Sequence, residues 1–290
     1  MTGIDARVRR LPIWQGDISI VPLGGGITNI NVLVTDGARR AVVRIGDDIP
    51  VHQVMRFNEL AASRAAHAAG ISPAVLHHEP GALVIDFIEA RTMTAEDLRQ
   101  DGLLAEALDL VKRTHTEVPK HLRGPALTFW VFHVLRDYAG TLRDGKSRHL
   151  DVLPELLEQS ARLEAAVGPI DLVFGHNDLL PANFLHDGSR MWLIDWDYAG
   201  FNSPLFDLGG LAANNGLSEA QERWMLTRYF GQAPDAARWR SYLAMKAAAA
   251  LRETLWSMVS EIHSELDFDF ARYSADNLAI YRTAFAAAAV

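Results

Sequence analysis

The segment Phe174-Gly175-His176-Asn177-Asp178-Leu179-Leu180-Pro181-Ala182-Asn183 places an aspartate two residues after a histidine and an asparagine five residues after that aspartate. Phosphoryl transfer to an alcohol needs a carboxylate to orient the hydroxyl and accept its proton, and oxygen ligands for Mg²⁺ beside the transferred group. Asp178 and Asn183 on one short loop supply one of each. The apolar run Met191-Trp192-Leu193-Ile194 then ends on Asp195-Trp196-Asp197, 17 residues after Asp178. That spacing allows a hairpin that folds the second carboxylate back toward the first. The plain alternative is a surface hairpin with solvated acids, but acids bordered by Leu, Ile and Trp need a partner.

Earlier in the chain, Leu23-Gly24-Gly25-Gly26-Ile27-Thr28-Asn29 can bring backbone N–H groups close to phosphate, with Thr28 and Asn29 as added donors. A glycine triplet alone is more often just a turn. In Ala41-Val42-Val43-Arg44-Ile45 an arginine interrupts a run of β-branched residues. A cation buried there requires an anion, and Glu59 on the following helical segment is the expected partner. The competing reading of Arg44 is an exposed edge-strand residue.

These residues need elements to hold them. Ile18–Pro22 and Ile30–Thr35 read as strands on either side of the glycines, Asp36-Gly37 as a hairpin turn, and Ala41–Ile45 and Ala82–Ile88 as further strands. A helix is expected from about Val54 to Ala69, stopped by Gly70. Beyond Arg91 the pattern becomes helical: about Ala95–Glu117, Phe129–Arg143, Leu153–Ala166, Glu219–Phe230, Ala236–Glu265 and Phe270–Ala287. A β interlude, Phe184–Leu185 and Met191–Ile194, surrounds the turn His186-Asp187-Gly188. The expected architecture is α+β: a small antiparallel-sheet lobe with one main helix over residues 1–89, and a larger, mostly helical lobe over residues 90–290.

Composition narrows the function classes. The chain has 290 residues, a formal charge of −8, 49% hydrophobic residues and no cysteine. No global basic field draws in nucleic acid or an anionic membrane, so an anionic ligand needs local donors or metal ions. Disulfides and thiolate metal sites are excluded, which fits a cytoplasmic location. The N-terminal residues Met1 to Trp14 carry arginines without an apolar core segment, so no signal peptide is expected. No run has the apolar length of a membrane span; Tyr242 to Trp256 is broken by Lys246, Arg252 and Glu253. The 11 histidines show neither His-x₃-His nor His-Glu-x₂-His spacing.

The stretches GGGITNINVLV, VVRIG, the NEL around Glu59, LVIDFIEARTM, HNDLLPANFL, LIDWDYAGFNSPLFDLG and ETLWSMVSEIHSELDFDFARYSADNLAIYR resemble the choline/ethanolamine kinase family, relatives of the aminoglycoside phosphotransferases within the protein-kinase-like fold. The resemblance spans about residues 21 to 282. It implies ATP as co-substrate and Mg²⁺ as cofactor. Asp178 would be the catalytic base, and Asn183 and Asp195 the metal ligands. Arg44 would contact the ATP phosphates, held by Glu59. Gly25, Gly26, Thr28 and Asn29 would cradle phosphate, and the segment from Asp86 to Ile88 would meet adenine through its backbone. Asp197 would add negative charge near the metal or the substrate. Asp207 would brace the catalytic loop, and His176 would tie its backbone in place.

For the acceptor, Trp256 matches a substrate-box tryptophan of the family, while the family's second tryptophan is replaced by Glu253. Glu253 would suit a primary amine such as that of ethanolamine, or another cationic alcohol; Trp256 reads equally as a core residue. Trp196, Tyr198, Phe201 and Trp224 are further aromatic candidates for the pocket. The expected reaction is phosphorylation of a small cationic alcohol, choline and ethanolamine first. Alternatives are another acceptor (an aminoglycoside, a sugar or a metabolic alcohol) or a nucleotide-sensing pseudokinase, against which stands the presence of Asp178, Asn183, Asp195, Arg44 and Glu59 together.

Overall fold

The computed structural model describes residues 2–24 and 29–290. Helix α1 (Thr2–Arg9) precedes strands β1 (Ile18–Leu23), β2 (Ile30–Asp36) and β3 (Arg39–Ile45), then α2 (Arg56–Ala68), β4 (Val75–Glu79) and β5 (Ala82–Asp86). The strands form an antiparallel sheet in the order β1-β2-β3-β5-β4. Asp36 pairs with Arg39, leaving a two-residue turn with Gly37 at φ +59°, a conformation that favours glycine. Val32, Val34, Ala41, Val43 and Val84 point to one face and form a core with Val8 and Leu11 of the N-terminal segment. Alternation along β3 sends Arg44 to the opposite face.

The remaining elements are β6 (Arg91–Thr92), α3 (Ala95–Leu98), α4 (Asp101–Thr116), α5 (Val118–His121), α6 (Val131–Asp144), α7 (Leu153–Val167), β7 (Val173–Gly175), β8 (Phe184–His186), β9 (Met191–Leu193), β10 (Gly200–Asn202), α8 (Pro204–Asn215), α9 (Glu219–Phe230), α10 (Ala236–His263) and α11 (Phe270–Ala288). This is an α+β fold of a small sheet-based part and a larger helical part. The long α10 buries Ala244, Ala247, Ala248 and Leu251 against the α6, α7 and α11 core. On its other side it crosses α8 so closely that a Cβ on Gly209 would lie 2.8 Å from the Lys246 Cα.

Several elements differ from the sequence expectation for local reasons. The expected helix over 95–117 divides at Gln100, whose ψ of 129° is extended; α3 has its own Thr94–Asp97 capping box. Helix α8 was not expected, because Gly209-Gly210 lowers helix propensity. It forms nonetheless: Ser203 caps it, Pro204 opens it, and the missing side chain at Gly209 admits α10. Strand β4 carries His77, His78 and Glu79, which masked its strand character. The short β6, β7 and β10 exist through pairing with β8 or with each other.

Candidate active site

Strand β7 feeds the segment His176–Asn183, and the β8–β9 hairpin then returns the chain to Asp195. Asp207 at the start of α8 secures the first half of this loop. Its carboxylate accepts the N–H of His176 at 2.8 Å and that of Asn177 at 2.7 Å, and also the His115 Nε2 at 2.9 Å. Burial alone would raise the Asp207 pKa; the hydrogen bond from His115 and the charges around it lower it instead. Asn177, at φ +64°, fills the turn with its own amide, which donates to the carbonyls of Tyr198 and Gly200. A Cβ at Gly175 would come within 2.9 Å of the Asn177 Oδ1 and 3.0 Å of the Asp207 Oδ2, so that position admits only glycine without rearrangement. His176 has its Nε2 at 2.9 Å from the Ile194 carbonyl, and burial lowers its pKa, keeping the ring neutral.

Asp178 and Asn183 face one another. The Asn183 amide nitrogen donates to the Asp178 carbonyl at 2.8 Å and lies 3.4 Å from its carboxylate. That leaves the amide oxygen of Asn183 as its ligand atom. The Asp178 carboxyl is pushed up to about 7, first by burial and then by Glu253 and Asp195, with Arg252 pulling the other way. Asp195 sits at the end of the hairpin with φ +67°, a conformation uncommon for a side-chain-bearing residue. Its carboxyl is raised by burial and by Asp197, tempered by a side chain still 38% exposed. Its Oδ1 has no hydrogen-bond donor among the described residues. The Asp195 carboxylate, raised by burial and by Asp197, and the Asn183 amide oxygen are hard-oxygen donors of the kind Mg²⁺ takes.

Asp197, only two residues on, is in the opposite state. One oxygen takes Arg44 Nη1 at 2.5 Å and Arg56 Nη1 at 2.8 Å, and the other takes the Asn29 amide at 2.9 Å. Burial is the largest influence and works to raise its pKa, but Arg44 and Arg56 outweigh it and hold it below the usual carboxylate range. Arg44 also pairs with Glu59, and Arg56 bridges Glu59 at 2.8 Å and the Asn29 side-chain oxygen at 2.6 Å. Two arginines, two acids and one asparagine thus join the sheet, α2 and the end of the hairpin.

The structure therefore brings together Asp178, Asn183, Asp195, Asp197, Arg44, Glu59 and Asn29. Gly25, Gly26 and Thr28 lie outside the described residues. Asp86 is exposed at the end of β5, donating its N–H to the Ala74 carbonyl, and Ile88 follows two residues later. Glu253 lies beside Asp178: Arg252 Nη1 is 2.9 Å from the Glu253 carboxylate and 3.4 Å from that of Asp178. The other Glu253 oxygen accepts the Tyr273 hydroxyl at 2.8 Å. Trp256 is packed in the core, donating to the Tyr198 hydroxyl at 2.8 Å, with the His52 ring 5.1 Å from it and the Tyr273 ring edge-on at 6.4 Å. Of the other aromatic candidates, Trp196 is buried on His176, Phe201 packs on Phe174, and Trp224 is partly exposed on α9.

Sequence reasoning missed three contributors. Arg56 lies three residues before Glu59 and stands on the same side of α2, a spacing that would have flagged it. Arg252 was visible only as a charge interrupting an apolar helix. Tyr273 carried no signal of its own.

The phosphotransferase enzyme family profile matches residues 19–253. The chain is 28% identical to protein LicA of Haemophilus influenzae over 261 residues, covering 85% of this chain and 75% of that protein. It is 29% identical to ethanolamine kinase 2 of Mus musculus over 281 residues, covering 86% and 71%. Among solved structures, a choline/ethanolamine kinase family protein from Mesorhizobium loti superposes with a TM-score of 0.79 at 28% identity, covering 98% of this chain and 95% of that one.

Proposed function

Because the chain belongs to the phosphotransferase enzyme family, we propose that the small alcohol it phosphorylates is a cationic amino alcohol of the choline or ethanolamine type. The fold is the two-lobed α+β fold of kinases, and the reaction is ATP-dependent phosphoryl transfer to a small-molecule hydroxyl. The observation that carries the acceptor reading is Glu253, a carboxylate next to Asp178 and braced by Tyr273, whose ring meets those of Trp256 and Phe268. A carboxylate among aromatic rings suits a small cation. The names of ethanolamine kinase 2 and of the choline/ethanolamine kinase family protein point the same way.

In this reading residues 1–89 form the nucleotide-binding lobe and residues 90–290 supply the loop, the metal ligands and the acceptor pocket. Asp178 orients the acceptor hydroxyl and takes its proton as the oxygen attacks the γ-phosphorus; the bond from that phosphorus to the β,γ-bridging oxygen breaks, and ADP leaves. Asn183 and Asp195 would hold Mg²⁺, which when bound would neutralise charge on the transferring phosphoryl group. Arg44, fixed by Glu59 and Asp197, contributes positive charge toward the phosphates, and Asn29 with the glycine turn adds donors. Asp86 to Ile88 meets adenine through the backbone. Trp256 supports the pocket from behind through Tyr198. A cytoplasmic location suits a cysteine-free kinase drawing on ATP, and no described helix is long and apolar enough to cross a membrane.

The test is Mg²⁺-dependent ADP production with choline, ethanolamine, an aminoglycoside or no acceptor. Turnover stimulated by choline or ethanolamine and abolished in Asp178→Asn supports the reading. Stimulation by the aminoglycoside alone would overturn the acceptor class.

A further inference from the structure

Arg252 takes no part in the transfer step proposed above, yet its Nη1 lies 3.4 Å from the carboxylate of the candidate base. It is 3% exposed, on the inner face of α10. A single nitrogen, Nη1, reaches both Asp178 and Glu253. Its Nε and Nη2 are buried without a hydrogen-bond partner among the described residues. The guanidinium lies over the Tyr198 ring at 4.1 Å and near that of Phe129 at 5.7 Å. Aromatic faces and two carboxylates thus offset the desolvation of a planar cation that does not lose its proton. The side chain is locked between two rings and two acids.

That arrangement sets the charge of the pocket. Arg252, Asp178 and Glu253 line one narrow crevice with Asn177, Asn214 and Asp207, and Asp207 is already engaged by the His115 ring and the N–H groups of His176 and Asn177. With Asp207 held by its own donors, the two carboxylates that share Arg252, when both are ionised, leave one negative charge beside the guanidinium for an acceptor to balance. Resting on the amino-alcohol reading above, we propose that Arg252 is a specificity-determining residue that makes this kinase select acceptors carrying a single positive charge. A monocationic alcohol balances that one charge. A dication meets the guanidinium as a like charge, and a neutral alcohol leaves one carboxylate uncompensated at low dielectric. Removing the arginine charge leaves two negative charges, which favour a dication.

The experiment is steady-state kcat/KM at saturating Mg-ATP for ethanolamine, for 1,3-diamino-2-propanol at a pH where both amines are protonated, and for 1,2-propanediol. These are compared in wild type, Arg252→Met and Arg252→Lys. Wild type is expected to favour ethanolamine over both others. Arg252→Met is expected to move the monocation-to-dication ratio toward the diamine by about tenfold or more, and Arg252→Lys to return it toward wild type. A folded Arg252→Met with an unchanged ratio overturns the proposal, as does wild type preferring the diamine or the diol, a result that stands even where Arg252→Met does not fold. Failure of the amino-alcohol reading looks different: no amine stimulates ADP release from wild type that still binds ATP, and the proposal falls with it.

Discussion

Glu253→Gln is expected to shift the acid limb of the pH–rate profile to lower pH. As the proposed base, Asp178 would have to be ionised to accept the hydroxyl proton, so kcat/KM is expected to fall as pH drops through its pKa, which the folded protein raises to about 7. Burial is the main cause; the Glu253 charge adds to it. Both carboxylates touch Arg252 Nη1, at 3.4 and 2.9 Å, so they stand no more than about 6 Å apart. At an effective dielectric of about 20, repulsion at that distance is worth about 2–3 kcal/mol, or about two pH units. Part of it is screened by Arg252, which the substitution leaves wholly to Asp178, so a shift of about one to two units downward is expected. The assay is kcat/KM for the acceptor from pH 5 to 9 at saturating Mg-ATP, which reports the enzyme before the acceptor binds. The KM itself rises in the variant. An acid limb that stays in place or moves upward would refute the electrostatic coupling of the two groups.

Asp178→Asn is expected to lower kcat by at least about 10³-fold with ATP binding little changed, as read by steady-state kinetics and nucleotide titration. The same variant should melt no lower than wild type at pH 8. The folded-state pKa of Asp178 is raised above its unfolded value, so its ionised form costs stability above about pH 7 and that cost disappears below about pH 4. Removing it gains about 1–2 kcal/mol at pH 8 after allowing for the partner Arg252 loses, and the gain should shrink at pH 5 in thermal unfolding. Asp207→Asn leaves the His176 and Asn177 N–H groups and His115 facing a weaker acceptor, costing about 3 kcal/mol in chemical denaturation and lowering kcat. Gly175→Ala forces a Cβ onto Asn177 and Asp207; kcat should fall about tenfold or more with KM for ATP nearly constant, and an unaltered kcat would show that the loop tolerates the shift.

Elements with strong local signals were legible in the sequence. The Asp36-Gly37 hairpin, α9 over Glu219–Phe230 and the β8–β9 return from Asp178 to Asp195 all follow from turn chemistry, capping residues and apolar runs. What escaped was whatever depends on a partner far along the chain. Helix α8 needs α10 to make use of Gly209, and β10 exists because β7 lies beside it. The candidate site divides the same way. Asp178, Asn183 and Asp195 are marked by spacing within one segment. Arg252 reaches Asp178 across 74 residues, and Arg56 reaches Asp197 across 141. Their chemistry, two cations among buried acids, is decided by tertiary placement.

The aspartates of Asp195-Trp196-Asp197 show how far placement separates residues of identical type. Trp196 between them is buried on His176 with its indole N–H on Ser72, which pins the backbone so that the two carboxylates leave in different directions. Asp197 meets Arg44, Arg56 and Asn29, is held ionised, and has both oxygens engaged. Asp195 has Arg44 Nη1 no nearer than 3.6 Å, is repelled by Asp197, and its Oδ1 has no hydrogen-bond donor among the described residues. A cation binding between the lobes gains more from Asp195 than from Asp197, because neutralising an already paired carboxylate requires breaking its pairs. Environments that push the pKa values of neighbouring acids apart assign them different work. On that argument the proposed metal ligand is Asp195 rather than Asp197, and Asp197 is the anchor that holds Arg44 and Arg56. The network closes on itself, since Glu59 holds the same two arginines from the side of α2.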